Sequence, residues 1–285
     1  MLLGQAIGIA EARAISWRAL LVGGAFTLFG LGFIVLMNDW GDARVDALKR
    51  RLFPETSAKT IPDGALPARR VAIAGLGCAV VALGAAFAGG AWLDRPWLGA
   101  IGLGSMCVFV AYTLPPLKLN YRGGGELCET LGVGVLLPWI NAYAQSGVLL
   151  PAAAWALPGF ACLSFASAVA SGLSDEVSDR EGGKTTVVTT FGNAAARRTT
   201  ETSVLLGAAL WLGAAALAPA APAVWTLVPA LAAVLWGYCG LRAHSAEATT
   251  NAFARQSLYK RHLHRAVWIG AVLCSMAILT KTWTR

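Results

Sequence analysis

Apolar runs of about 20 residues, the length a helix needs to cross a bilayer, recur along the whole sequence and are separated by short polar segments. Full spans are expected at residues 17–38, 70–92, 97–115, 127–146, 152–174, 200–218, 223–241 and 265–282. Residues 1–10 are apolar over only about half a span and read as the tail of a first helix, either short or extended upstream. The expected fold class is all-α: a polytopic transmembrane helical bundle with about eight full spans and a partial first one, forming a single domain over residues 1–285. With 56% hydrophobic and 13% charged side chains, the chain has too little polar surface to cover a soluble globule of this size.

A net charge of +8 raises the question of a nucleic-acid partner, and the positions of the 23 Lys and Arg answer it. If the segment after Asn38 is cytoplasmic, alternating spans place residues 41–70, 116–126, 175–198 and 242–265 on that side. These segments carry 18 basic residues, leaving Arg13, Arg18, Arg95, Lys281 and Arg285 for the other face. Such asymmetry is the positive-inside rule. The basic excess reads as topology plus attraction to anionic headgroups or a diphosphate, so membrane lipids are expected as partners and nucleic acid is not. The expected location is the inner membrane of the cell, with the acidic clusters described below facing the cytoplasm. Cys78, Cys107, Cys128, Cys162, Cys239 and Cys274 form no CxxC pair, which argues against zinc or a disulfide framework. Trp17, Trp92, Trp97, Trp268 and Trp283 lie near span ends, as headgroup anchors do, and 32 glycines suit close helix packing in lipid.

Polar chemistry is concentrated where two spans end. In Asn38-Asp39-x-x-Asp42-x-x-x-Asp46 the spacing of three and four puts three carboxylates on one helical face. They repel one another, and a helix C-terminus adds negative partial charge. A cation between them relieves both penalties, and oxygen-only donors select a hard ion such as Mg2+. The bland alternative is a helix end emerging into water, which accounts for one or two acids. Asp175 and Asp179 form a second cluster, one turn apart after another span. Four spans separate the clusters, an even number, so both emerge on the same side and can confront each other across a cavity. Lys184, after Gly182-Gly183, is placed to reach diphosphate oxygens.

A third segment on that side contains Tyr112, Pro115-Pro116, Lys118 and Tyr121-Arg122-Gly123-Gly124-Gly125-Glu126. The prolines must end the preceding helix, and Lys118 and Arg122 supply cations. A tight basic turn obeying the positive-inside rule is the alternative. His262-x-His264 reads as part of a basic interfacial loop, because residues two apart face different directions on a helix.

Together, Asn38-Asp39-x-x-Asp42-x-x-x-Asp46 and Asp175-x-x-x-Asp179-x-x-x-Gly183-Lys184-x-Thr186 resemble the two aspartate-rich motifs of the UbiA superfamily of intramembrane aromatic prenyltransferases. The third segment is similar to that of 1,4-dihydroxy-2-naphthoate prenyltransferases of menaquinone synthesis. The resemblance implies nine helices. It also implies that Asp39, Asp42, Asp175 and Asp179, assisted by Asp46 and Asn38, hold Mg2+ against a polyprenyl diphosphate. In that picture Lys118, Arg122 and Lys184 stabilise the leaving diphosphate, and Tyr112 faces the allylic cation or the acceptor. Tyr112 is equally consistent with an interfacial belt. The acceptor stays open between 1,4-dihydroxy-2-naphthoate, 4-hydroxybenzoate and other rings. A transporter would carry its acids in mid-span, where this sequence has few; an inactive lipid-binding homologue is the other non-enzymatic reading.

Overall fold

Helix starts and stops follow local sequence closely at the two ends of the second helix. Ser16 caps it, its hydroxyl accepting from the Ala19 backbone N–H at 3.2 Å, and Lys49, Arg50 and Arg51 fill the last turn, where cations offset the helix dipole. The coordinates are a computed structural model describing residues 1–56 and 58–283; Arg285 and the Trp283 side chain lie outside the described residues.

Along the chain run α1 (Leu2–Ala12), α2 (Trp17–Leu52), α3 (Ala68–Leu93), α4 (Leu98–Thr113), α5 (Gly125–Glu129), α6 (Leu137–Ser146), α7 (Ala156–Ser171), α8 (Glu176–Glu181), α9 (Val187–Phe191), α10 (Asn193–Leu217), α11 (Val224–Ser245) and α12 (Phe253–Trp283). A π-helical segment, Thr130–Leu136, joins α5 to α6 without a break. No strand occurs among the described residues. Seven segments are long and apolar enough to cross a membrane: Trp17–Leu52, Ala68–Leu93, Gly125–Ser146, Ala152–Ser174, Asn193–Leu217, Val224–Ser245 and Phe253–Thr282. The shorter apolar helices Leu2–Ala12 and Leu98–Thr113 accompany them, and α1 matches the partial first span.

Two expectations need correction. The span expected at 97–115 is a helix of 16 residues, about 24 Å long and short of the ~30 Å hydrocarbon core. It stops early because Leu114 turns extended before Pro115-Pro116. The last span begins at Phe253 rather than at 265, so His262-x-His264 lies inside α12 and not in a loop. Arg, Lys and Leu are good helix formers, so charged residues there end the hydrophobic run without ending the helix. His262 stacks on His244 of α11 with ring centroids 5.2 Å apart.

One core gathers α2, α3, α4 and α6 around Phe26, Phe33, Met37, Phe109, Ile140 and Tyr143. A second gathers α1, α7, α10, α11 and α12 around Ile7, Leu163, Trp211, Leu227, Tyr259 and Leu263. Lipid is as apolar as these side chains, so close packing and interhelical hydrogen bonds hold the helices together. Helix α1 shows both devices. Gly4 and Gly8, four apart, let it lie against α6; a Cβ on Gly8 would stand 2.5 Å from the Ala142 carbonyl oxygen and from the Gln145 Cβ. On the same helix Gln5 Nε2 donates to Asn141 Oδ1 at 2.7 Å, and Asn141 Nδ2 donates to Thr27 Oγ1 at 3.1 Å and the Leu137 carbonyl at 2.8 Å. Gly8→Leu is expected to push α1 off α6 and lower stability by at least the ~1–3 kcal/mol of an overpacked core, read as a fall in the thermal unfolding midpoint in detergent. An unchanged midpoint would show that α1 does not depend on this contact.

Candidate active site

Leu31, Ile34, Val35, Asn38, Asp39, Asp42, Val45 and Asp46, spaced three and four apart on α2, form one wall of a cavity of about 390 Å3. From Leu31 to Asp46 the helix rises about 22 Å, so a single stripe carries an apolar end and an acidic end. Facing it are Phe109 and Tyr112 of α4, Cys128 and Glu129 of α5, Val133 of the π segment, Ala168 and Ser171 of α7, and Asp175, Ser178 and Asp179 at α8. The two acidic clusters therefore meet across one cavity, with α3, the shorter α4, the Gly125–Ser146 segment and α7 between them in the chain.

The carboxylates do not face one another bare. Lys184 Nζ donates to Asp42 Oδ2 at 2.7 Å and stands 3.4 Å from Asp179 Oδ1, bridging the clusters. Gly183, at φ +77°, makes the turn that places it, and the Lys184 backbone N–H returns to the Asp179 carbonyl at 2.8 Å. Lys49 pairs with Asp175. Lys59 Nζ lies 2.8 Å from Asp46 Oδ1, and Thr60 Oγ1 donates to Asp39 Oδ2 at 3.1 Å, so the segment between α2 and α3 folds back over the acidic end. Asp42 also accepts from the Tyr121 hydroxyl at 3.0 Å and from Asn120 Nδ2 at 3.5 Å.

The expected cations between the carboxylates include ammonium groups from elsewhere in the chain, which offset the repulsion. Among the described residues no three His, Cys, Asp or Glu side chains stand close enough to hold a metal ion by themselves. The donor set nevertheless suits a hard cation, with carboxylates of both clusters on one cavity and the buried Asn38 Oδ1 lining it without a hydrogen-bond partner. Mg2+ usually takes one or two carboxylates and completes its shell with water and substrate phosphates.

Electrostatics follow the same pairing. Burial pulls the Lys184 ammonium down, but Asp42 and Asp179 more than reverse this and hold it above the ordinary lysine range. Lys59 behaves likewise, with Asp46 overriding burial. Burial pushes the Asp179 carboxyl up to about 6 although Lys184 opposes it. The Tyr121 hydroxyl is raised by burial and then by Asp42.

Among the residues singled out in the sequence, Asn38, Asp39, Asp42, Asp46, Tyr112, Asp175, Asp179 and Lys184 line the cavity. Lys118 and Arg122 are not among its lining residues: Lys118 Nζ sits 3.7 Å over the Tyr121 ring, and Arg122 is exposed. From that segment the cavity takes Asn120 and Glu126 instead. Glu126 Oε1 accepts from the Val187 backbone N–H at 2.7 Å, which fixes the start of α9 against the loop. Lys49 and Lys59, counted in the sequence only as topological charge, are the cations the spacing did not reveal.

The family model that matches this chain describes the UbiA prenyltransferase family and covers residues 1–264. The chain belongs to the UbiA prenyltransferase family. It is an integral membrane protein of that family. No curated protein sequence matches it. Several solved structures share the UbiA fold. An apo UbiA homologue from Aeropyrum pernix K1 is 13% identical, with a TM-score of 0.70 and 98% of this chain and 96% of that one covered. A homologue from Archaeoglobus fulgidus, described as bound to DMAPP and Mg2+, is 16% identical with a TM-score of 0.67, covering 93% and 94%. A digeranylgeranylglyceryl phosphate synthase is 13% identical with a TM-score of 0.65, covering 98% and 93%.

Proposed function

We propose that this UbiA-family protein is a Mg2+-dependent enzyme that transfers a polyprenyl group from its diphosphate to an aromatic quinone precursor, 1,4-dihydroxy-2-naphthoate of menaquinone synthesis. The observation that carries the reaction class is the polarity of one cavity: both aspartate clusters with Lys59 and Lys184 at one end, Leu31, Ile34, Val35, Phe109 and Val133 at the other. A diphosphate needs the first end and a prenyl tail the second. A relative from Archaeoglobus fulgidus described as bound to GPP and Mg2+ supports the pairing. The naphthoate acceptor rests on the resemblance of the Tyr112 to Glu126 segment to enzymes of that pathway.

Asp39, Asp42, Asp175 and Asp179, with Asp46 and Asn38 beside them, would hold the metal. Mg2+ bound there supplies positive charge against the oxygens of the leaving diphosphate. Lys59 and Lys184 add fixed cations in a site of low dielectric, where they act most as negative charge builds on the leaving group. Apolar residues keep water from the allylic cation, and the Tyr112 ring offers it a π face. The excess of basic residues in the segments at this end supports a site that opens to the cytoplasm from the inner membrane.

The test is transfer in liposomes from a polyprenyl diphosphate with Mg2+, offering 1,4-dihydroxy-2-naphthoate or 4-hydroxybenzoate. Product with the naphthoate alone is expected. Product with 4-hydroxybenzoate alone would replace the acceptor while keeping the reaction, and no product with either ring from folded protein would overturn the reading.

A further inference from the structure

Of the acidic side chains lining the cavity, six have partners: Asp39, Asp42, Asp46, Asp175 and Asp179 through Thr60 and the lysines described above, Glu126 through the Val187 N–H. Glu129 is different. It lines the same cavity, yet its side chain takes part in no hydrogen bond or ion pair among the described residues. It lies in the membrane-crossing segment Gly125–Ser146, where an unpaired carboxyl is expensive and an ionisable group is by default a functional one. The backbone changes from α to π geometry at the next residue, Thr130, and single π turns inside α-helices concentrate at functional sites.

What Glu129 awaits can be read from what else enters the cavity. Lys59 and Lys184, the cations on its lining, are engaged at the acidic end. A diphosphate is anionic and repelled by a carboxylate. A prenyl chain has no hydrogen-bond donor. What is left is the acceptor: its own carboxylate must point away from Glu129, as the diphosphate does, and a ring hydroxyl is the group that can donate to it. We propose that Glu129 is the acceptor-binding residue of this enzyme and takes a hydrogen bond from a ring hydroxyl of the aromatic substrate. A charge-assisted bond of this kind fixes the ring beside Tyr112 and draws electron density from the hydroxyl into the ring; a ring carbon bonds to the allylic carbon as the carbon–oxygen bond to diphosphate breaks, and then gives up its proton or, where it carries the carboxyl, carbon dioxide. It also selects rings that carry a free hydroxyl over their ethers. The assignment rests on the prenyl-transfer reading above, although its first test does not need turnover.

Full-length protein in detergent is treated with dicyclohexylcarbodiimide, which reacts with carboxyls in apolar surroundings, and labelling of Glu129 is mapped by mass spectrometry. Labelling is expected, with 1-naphthol protecting and its methyl ether, 1-methoxynaphthalene, leaving it unchanged. No labelling of Glu129, or equal protection or none by the two compounds, overturns the proposal. As a second arm, Glu129→Gln and Glu129→Val are expected to lower kcat/KM for the acceptor about 10- to 100-fold, the worth of a hydrogen bond to a charged group, with Mg2+-dependent binding of geranylgeranyl diphosphate unchanged. Wild-type transfer rates in both variants overturn it as well. Absence of diphosphate binding by the wild type would strike the prenyl-transfer reading and leave the labelling result to decide on Glu129.

Discussion

Asp42→Ala is expected to lower prenyl transfer by about 10²- to 10³-fold, the scale of losing one preorganised electrostatic contact in a transition state, and to destabilise the resting protein as well. Asp42 is buried, and three elements converge on it: Lys184 from the α8–α9 turn, Tyr121 and Asn120 from the α4–α5 loop, and its own helix α2. Alanine leaves the Lys184 ammonium with only Asp179 at 3.4 Å, and removing one partner of a buried pair costs about 3–5 kcal/mol. Asp42→Asn separates the two effects. The amide fills the site and its oxygen still accepts from Tyr121, so part of the stability is retained, but the negative charge that pairs with Lys184 is gone. Transfer is expected to fall in Asp42→Asn nearly as far as in Asp42→Ala; wild-type turnover in the amide variant would show that the charge of Asp42 is not used.

Lys184→Met is expected to produce the second large effect, and one that changes with Mg2+. Without the ammonium, Asp42 and Asp179 face each other with nothing between them. The loss in metal-free buffer is about 3 kcal/mol, toward the lower end for a broken buried pair, because the Lys184 side chain keeps 11% exposure. Mg2+ is expected to restore part of the thermal midpoint and to raise it more in the variant than in wild type, while turnover stays low for want of the cation at the leaving group. The pH dependence has a definite sign. The Lys184 ammonium is held above its ordinary range, so its stabilising contribution is present through neutral pH and lost only as pH rises through that elevated value. Asp179 is raised from 3.8 to about 6 by burial. The folded state therefore binds more protons there than the unfolded one, and stability falls as pH rises across that window. Removing Lys184 takes away the opposing positive charge and extends the fall to higher pH. A variant with wild-type midpoint and no added response to Mg2+ would contradict this account of the bridge.

The parts of the site visible in the sequence are those encoded by short-range spacing. Asp39, Asp42 and Asp46 share a face because three- and four-residue steps do so on any helix, and the four apolar helical segments between them and Asp175 and Asp179, α4 the shortest, bring both clusters to one end. Lys184 follows from its glycine turn. Lys49 and Lys59 were hidden for a physical reason: their partners are fixed by a loop folding back and by helices meeting, and in sequence they are indistinguishable from the basic residues that set topology. Glu129 was hidden because one acid in an apolar run makes no pattern; its meaning depends on which cavity it borders and on what fails to reach it. The same limit explains the helix ends. Hydropathy locates where lipid begins, but helix-forming Arg and Lys carry α12 and α2 beyond that boundary, and Pro115-Pro116 ends α4 short of it.

Calorimetric titration of the purified protein with geranylgeranyl diphosphate, in Mg2+ and in EDTA, tests the central claim most directly. The account predicts binding in Mg2+ that is lost in EDTA and lost again in Asp42→Asn with Mg2+ present. Binding of equal strength in EDTA, or none at all by folded wild-type protein in Mg2+, would contradict it.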